Sequence, residues 1–171
     1  MKKTYTLGHG TLPSSDFIAL VRDAGIEAIA DIRTVPRSRR NPQFESAAMR
    51  EWLPAAGIAY EHHQELGGFR KPRSHSPNEG LRHPAFRGYA DYMMTDEFRS
   101  AVDLLLPRLE ARPTALLCSE SVWWRCHRRL VADYLVLVKG WDVRDLMHDG
   151  RAGSHHLTAG VRAAGPCLVY E

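Results

Sequence analysis

The stretch Thr114 to Val138, TALLCSESVWWRCHRRLVADYLVLV, constrains the fold more than any other part of the chain. Its first five residues form an apolar run closing at Cys118 and bounded upstream by Arg112-Pro113, which predicts a buried strand. Apolar residues then recur at Cys126, Leu130, Tyr134, Leu135 and Val138 with Arg125, Arg128, Arg129 and Asp133 between them, which predicts an amphipathic helix. Ser119-Glu120-Ser121 falls at the turn from strand to helix, where either serine would serve as a cap. In an α/β protein the carboxyl end of such a strand is where ligands bind, because unpaired N–H groups and the helix dipole point outward there. A thiol, a carboxylate, a histidine and several arginines gather at this point, which marks it as a candidate site.

The rest of the chain repeats the same alternation. Thr4–Leu7 predicts a strand ended by Gly8-His9-Gly10, and Phe17, Leu20, Val21 and Ala24 predict a helix between Ser14 and Gly25. Ile26–Ile32 predicts a second strand, followed by Arg33. These three pieces make a right-handed βαβ unit, so His9 and Asp31 with Arg33 lie on the same edge of the sheet. A basic loop, Thr34–Pro42, leads to a helix from about Phe44 to Leu53 that Pro54 shortens. Ile58–Glu61 is a weak third strand. The polar segment Arg70–Pro84, rich in prolines and charges, is the expected mobile loop. Phe86, Tyr89, Ala90 and Met93 mark one helix. Thr95 caps the next, which bends at Pro107. Trp141–Met147 is the last strand expected, closed by His148, and residues 149–171 are left unplaced. The expected architecture is one domain over 1–171: an α/β three-layer sandwich, Rossmann-like, with a mainly parallel sheet of about five strands.

Charge and cysteine content narrow the setting. The net charge of +3 does not by itself demand a nucleic-acid partner, but Arg33, Arg37, Arg39 and Arg40 crowd one loop and Arg125, Arg128 and Arg129 crowd one helix. Clustered arginine suits phosphate or carboxylate recognition, although a solvated basic face is the commoner outcome. Three cysteines in a chain of this size argue against a disulfide framework and for a reducing compartment. The segment MKKTYTLGHG lacks the apolar core of a signal peptide, and no run approaches the ~18–20 apolar residues of a membrane span. The expected location is the cytoplasm, with no membrane partner.

Four strand ends deliver ionisable groups to one edge: His9, Asp31 with Arg33, Cys118 with Glu120, and His148. Taken together they predict a functional pocket. Glu120 is the candidate general base or nucleophile, with His9 or His127 moving protons. At a helix start its carboxylate would also complement the dipole, worth about 0.3–1 kcal/mol. Cys118 has two readings. The commoner is an inert apolar group at the end of a buried strand; the other is a reactive thiolate beside a helix N-terminus and arginines. A metal site from His9, Cys118, Cys126, His127 and His148 lacks any CxxC or HxxxH spacing. Trp123-Trp124 would stack a base, with one of the pair in the core.

Cys118-x6-Arg125 resembles the anion-cradling loop of cysteine phosphatases and rhodaneses, and Ala30-Asp31-Ile32-Arg33 resembles the second-strand motif of rhodaneses. That loop, however, needs one residue fewer and small residues where this chain carries Trp123 and Trp124. A fuller resemblance covers Leu7 to His148. Leu7-Gly8-His9, Asp31-Ile32-Arg33 with Pro36, Ser38 and Pro42-Phe44, Tyr60, and Leu66-Gly67-Gly68 carry its first half. Gly88-Tyr89-Ala90-Asp91-Tyr92-Met93, Cys118-Ser119-Glu120 and Cys126-His127-Arg128 carry its second. With these motifs the chain resembles the family catalogued as domain of unknown function 488. Gly10 stands where that family more often has a small hydroxyl residue, and Ser119 where alanine is common. The resemblance implies a compact α/β fold with a shared polar site, and no activity.

Three functions remain open on these residues. The leading one is an intracellular enzyme binding an anionic ligand, phosphate-bearing or nucleotide-like. Arg33, Arg37 and Arg128 hold the anion, Asp31 and Tyr89 complete the ligand site, Glu120 acts as base or nucleophile, and Cys118 lines the pocket or attacks. The second is a non-catalytic nucleic-acid or nucleotide-binding module using the arginine clusters and Trp123-Trp124. The third is a network of Asp31 and Glu120 with arginines that only holds the sheet edge together. Cysteine-based chemistry like that of rhodaneses or phosphatases, at Cys118, is a further alternative; the cofactor is left open and no metal is expected.

Overall fold

The computed structural model describes residues 2–171. In chain order its elements are β1 (Lys3–Gly8), α1 (Ser14–Asp23), β2 (Ala28–Asp31), α2 (Ser46–Ala55), β3 (Ala59–His62), α3 (Pro84–Tyr92), α4 (Asp96–Ala111) and β4 (Thr114–Cys118). They are followed by α5 (Arg128–Leu137), β5 (Asp142–Leu146), β6 (Ala152–Ser154), β7 (Val161–Ala164) and β8 (Cys167–Tyr170). The first six strands form one sheet in the order β3-β2-β4-β1-β5-β6, parallel except for β6, and β7–β8 form a separate antiparallel hairpin.

β4 is the central strand, and all five of its residues are buried, as a strand covered on both faces requires. Ala115 and Leu117 point into one core with Phe17, Val21, Met49 and Leu53 of α1 and α2. Leu116 points into the other, with Tyr89, Phe98, Leu105, Leu130 and Leu135 of α3, α4 and α5. Two layers of helix therefore sandwich the sheet, each held by apolar residues at alternate strand positions. α4 begins as its sequence predicts, with the Thr95 hydroxyl accepting a hydrogen bond from the Phe98 N–H at 3.2 Å.

The local expectations differ from the structure in three places. α2 starts at Ser46 and runs to Ala55 with Pro54 inside it, whereas α4 continues through Pro107 to Ala111 as its apolar pattern predicts. The helix after β4 starts at Arg128, so neither Ser119 nor Ser121 caps it. A 3-10 turn at Trp123–Arg125 intervenes, and the chain from Cys118 to Cys126 forms a closed loop instead of entering the helix directly. Residues 149–171 supply β6, β7 and β8. They are anchored by His155, which bridges Asp133 and Asp145 at 2.8 Å each, and by the Tyr170 hydroxyl, which donates to Asp133. The segment 70–84 is fastened to α3, with the Arg73 N–H, the Ser76 hydroxyl and the Asn78 amide all donating to the Asp91 carboxylate.

Sheet order also opens the site. β2 feeds α2 on one face and β4 feeds α5 on the other, so the loops after these neighbouring strands part and leave a crevice at the carboxyl edge.

Candidate functional site

The crevice is a cavity of about 350 Å3 between the loop after β2 (Arg33 to Arg37), the Gly68-Phe69 turn, the start of α3, and the loop from Cys118 to His127. Larger hollows exist, one of about 530 Å3 at the opposite edge of the sheet. Only the 350 Å3 crevice brings the chemistry-bearing residues together. Arg33, Arg37, Cys118, Glu120 and His127 all line it, and Arg125 and Cys126 join them.

Four expected site residues stand behind the cavity wall. Asp31, fully buried, accepts two hydrogen bonds from the Arg33 guanidinium at 2.9 and 2.7 Å and one from the Tyr60 hydroxyl at 2.6 Å. Burial, together with that last contact, pushes the Tyr60 phenol up to about 12. His9 stacks on Phe44 at 4.2 Å, with Nε2 3.3 Å from Arg33, and burial lowers it to about 4. Tyr89 donates its hydroxyl to the Leu66 carbonyl at 2.8 Å and packs its ring under His127. Arg128 lies beneath the 118–121 loop. His148, on the same edge, bonds through Nε2 to the Gly8 carbonyl at 2.7 Å.

Arg128 organises the floor. It is 1% exposed, the largest fully buried side chain, and among the described residues it makes no ion pair with a carboxylate. Its guanidinium instead donates to the Cys118 sulfur at 2.9 Å and to the Glu120 carbonyl at 2.5 Å. Burial lowers it to about 10. A cation held in low dielectric without a directly paired carboxylate, Asp145 and Glu120 acting on it only at a distance, stabilises an anion that forms beside it, and Cys118 is the group in contact. Gly8 permits this arrangement, since a Cβ there would run into the Glu120 carbonyl and the Arg128 guanidinium.

Cys126 was expected on the buried face of the helix. It stands instead before the helix begins, with its sulfur joined to that of Cys118 across a separation of eight residues. The Arg128 N–H, at the N-terminus of α5, donates to the Cys126 sulfur at 3.4 Å. His127 is turned inward. Its Nε2 donates to the Ile32 carbonyl at 3.0 Å, which leaves Nδ1, 3.6 Å from the Cys126 sulfur, as the lone-pair nitrogen. Burial lowers His127 to about 4 and keeps it neutral. Gly68 lies so close to this ring that a Cβ would collide with it. The Glu120 side chain is exposed at the rim and is the cavity's one carboxylate, and Arg128 holds its backbone, not its carboxylate.

Phe69, 84% exposed, and half-exposed Val35 give the mouth an apolar lip that sequence reasoning did not find. An isolated Phe in a polar segment carries no periodic signal that would mark it. Among the described residues, no group of three or more His, Cys, Asp or Glu is placed to hold a metal ion. Among the described residues, no helix is long and apolar enough to cross a membrane.

Neither a curated protein nor a solved structure matches the chain. A family model does match, over residues 14–135, a span that includes Asp31-Ile32-Arg33, Leu66-Gly67-Gly68, Cys118-Ser119-Glu120 and Cys126-His127-Arg128, the segments that build the cavity. The chain therefore belongs to the family described as domain of unknown function DUF488.

Proposed function

We propose that the protein is a thiol-dependent enzyme acting on a small anionic substrate in the cytoplasm, with Cys118 as the nucleophile once its sulfur is free. The observation that carries this reading is the Arg128 guanidinium, buried without a carboxylate partner and 2.9 Å from the Cys118 sulfur. Such a cation favours the thiolate over the thiol, and the thiolate is the reactive form. Arg37 and Arg125 at the cavity wall supply the charge that recruits an anion, and Arg33, tied to Asp31, adds positive potential behind them. Glu120, at the rim, is the base that takes up the proton when the Cys118 thiol ionises.

The test is alkylation of the reduced protein by iodoacetamide, followed site by site by mass spectrometry. Cys118 should react about tenfold faster than half-buried Cys167, and Arg128→Lys should remove most of that advantage while the protein stays folded. A Cys118 that is no faster than Cys167 sinks the proposal. Inorganic phosphate and small carboxylates should slow the reaction in wild type and do so less in Arg37→Ala.

A second cavity supports the nucleotide-binding reading. Arg82, His83, Trp123, Trp124, Arg129 and His156 line a hollow of about 450 Å3 that has no carboxylate in its wall. Trp124 is 46% exposed, and His156 stacks on Trp123. Stacking faces interleaved with cations suit a base and its phosphate. This reading expects oligonucleotide binding that weakens steeply with salt and is lost in Trp124→Ala.

A further inference from the structure

We propose that Cys118 and Cys126 form a reversible dithiol–disulfide couple, Cys118 attacking and Cys126 resolving, that exchanges electrons with a small disulfide or thiol bearing carboxylates. The inference rests on the thiol reading above and adds to it a second sulfur, a reaction and a substrate class.

The surroundings of the two sulfurs, and of the remaining cysteine, carry the inference. The two sulfurs are joined in the cavity wall, where both cysteines are largely buried, at 2% and 6% exposed, and reach a ligand only through the cavity. Cys118 faces the Arg128 guanidinium at 2.9 Å, a setting for a thiolate, whereas Cys126 faces the lone pair of neutral His127 at 3.6 Å, a setting for a thiol that donates its S–H. Cys167, the remaining cysteine, lies on β8 and hydrogen-bonds Arg99, well outside the cavity wall. The Cα atoms of the pair are 7.3 Å apart, beyond the usual disulfide span of about 4.4–6.8 Å, so exchange at this pair requires the 119–125 loop to move. A cavity of about 350 Å3 is more room than a hydroperoxide needs and is suited to a small molecule of several residues' bulk. The Arg37 and Arg125 side chains on its wall select for carboxylates.

The step balances as an exchange. The Cys118 thiolate attacks a substrate disulfide, forming the mixed disulfide and expelling one substrate thiolate, which takes a proton from water. Cys126 then attacks the Cys118 sulfur, its proton passing to the second departing thiolate. One substrate disulfide is reduced to two thiols, the two cysteines are oxidised to one disulfide, and two electrons move. Two thiols of the same class run the reaction backwards. His127 acts as a positioning residue, orienting the Cys126 S–H.

The experiment uses the full reduced chain with glutathione disulfide as the anionic probe and 2-hydroxyethyl disulfide as its neutral counterpart, read by intact mass after alkylation. Wild type should lose two alkylatable thiols without retaining an adduct. Cys126→Ser should stop as the mixed disulfide on Cys118, and Cys118→Ser should give neither product. The anionic probe should react about tenfold faster than the neutral one, an advantage lost in the Arg37→Ala/Arg125→Ala double variant. A stable adduct in wild type, or Cys126→Ser that never accumulates one, overturns the couple. If iodoacetamide still singles out Cys118 in that case, the nucleophile reading stands and only the pairing falls. If Cys118 shows no heightened reactivity either, both fall.

Discussion

Arg128 and Asp31 are two buried charges behind the cavity wall, and they are balanced in opposite ways. Asp31 is fully satisfied by Arg33 and Tyr60, so its value is structural. Asp31→Asn should cost about 3–5 kcal/mol in urea unfolding because it strands Arg33 in a buried site. Tyr60→Phe, which removes one donor, should cost only about 1 kcal/mol. Equal costs would show that the aspartate is not the hub. Arg128 has hydrogen bonds but no carboxylate in direct contact, Asp145 and Glu120 acting on it only at a distance, and under the proposed function that imbalance makes it the group that governs the reactivity of Cys118.

The decisive element is the loop from Cys118 to His127. Strand β4 ends where its apolar run ends, but the helix waits until Arg128, and the intervening 3-10 turn places Arg125, Cys126 and His127 around one cavity. Two glycines allow the loop to sit so low: Gly8 under Glu120 and Gly68 against His127. Gly8→Ala would press a methyl group into both the Glu120 carbonyl and Arg128. A loss of about 2–4 kcal/mol is expected, together with a slower Cys118 alkylation, and unchanged stability would mean the strand end moves freely. Thr95→Ala, remote from the site, should cost about 1 kcal/mol and leave the alkylation rate as it was.

Across the whole molecule, histidines set the pH range of stability. His9 and His127 are lowered to about 4 by burial. The unfolded chain binds their protons near the ordinary value of about 6.5, whereas the folded chain does so only near 4, so their contribution is present above 6.5 and is lost as pH falls through 4. His155 has the opposite sign. Burial lowers it, but its hydrogen bonds to Asp133 and Asp145 outweigh that and raise it to about 9. Its contribution is whole below about 6.5 and is lost as pH climbs to 9, a change of about 3 kcal/mol. Stability should therefore peak near pH 6.5 and decline on both sides. His155→Gln should flatten the alkaline limb and loosen the carboxyl-terminal strands, as hydrogen exchange in β7 and β8 would report. A wild-type plateau from pH 6.5 to 9 would contradict the assignment.

The sequence by itself determined the alternation of strands and helices, the burial of β4 and the arrival of His9, Asp31, Arg33, Cys118 and His148 at one edge. Period and parallel topology depend only on local pattern and chain handedness. The Thr95 cap was legible for the same reason, since capping is settled within four residues. What the tertiary structure decided is which of those edge residues reach the cavity. Arg33 was legible as a cation but not as one spent on Asp31, because an ion pair needs two side chains to meet in space. The joining of Cys118 to Cys126 follows from the loop's path over Gly8, and the carboxyl-terminal strands from a histidine that finds two aspartates on α5 and β5. Such contacts form between residues far apart in the chain, where periodicity carries no signal and packing alone selects the partner.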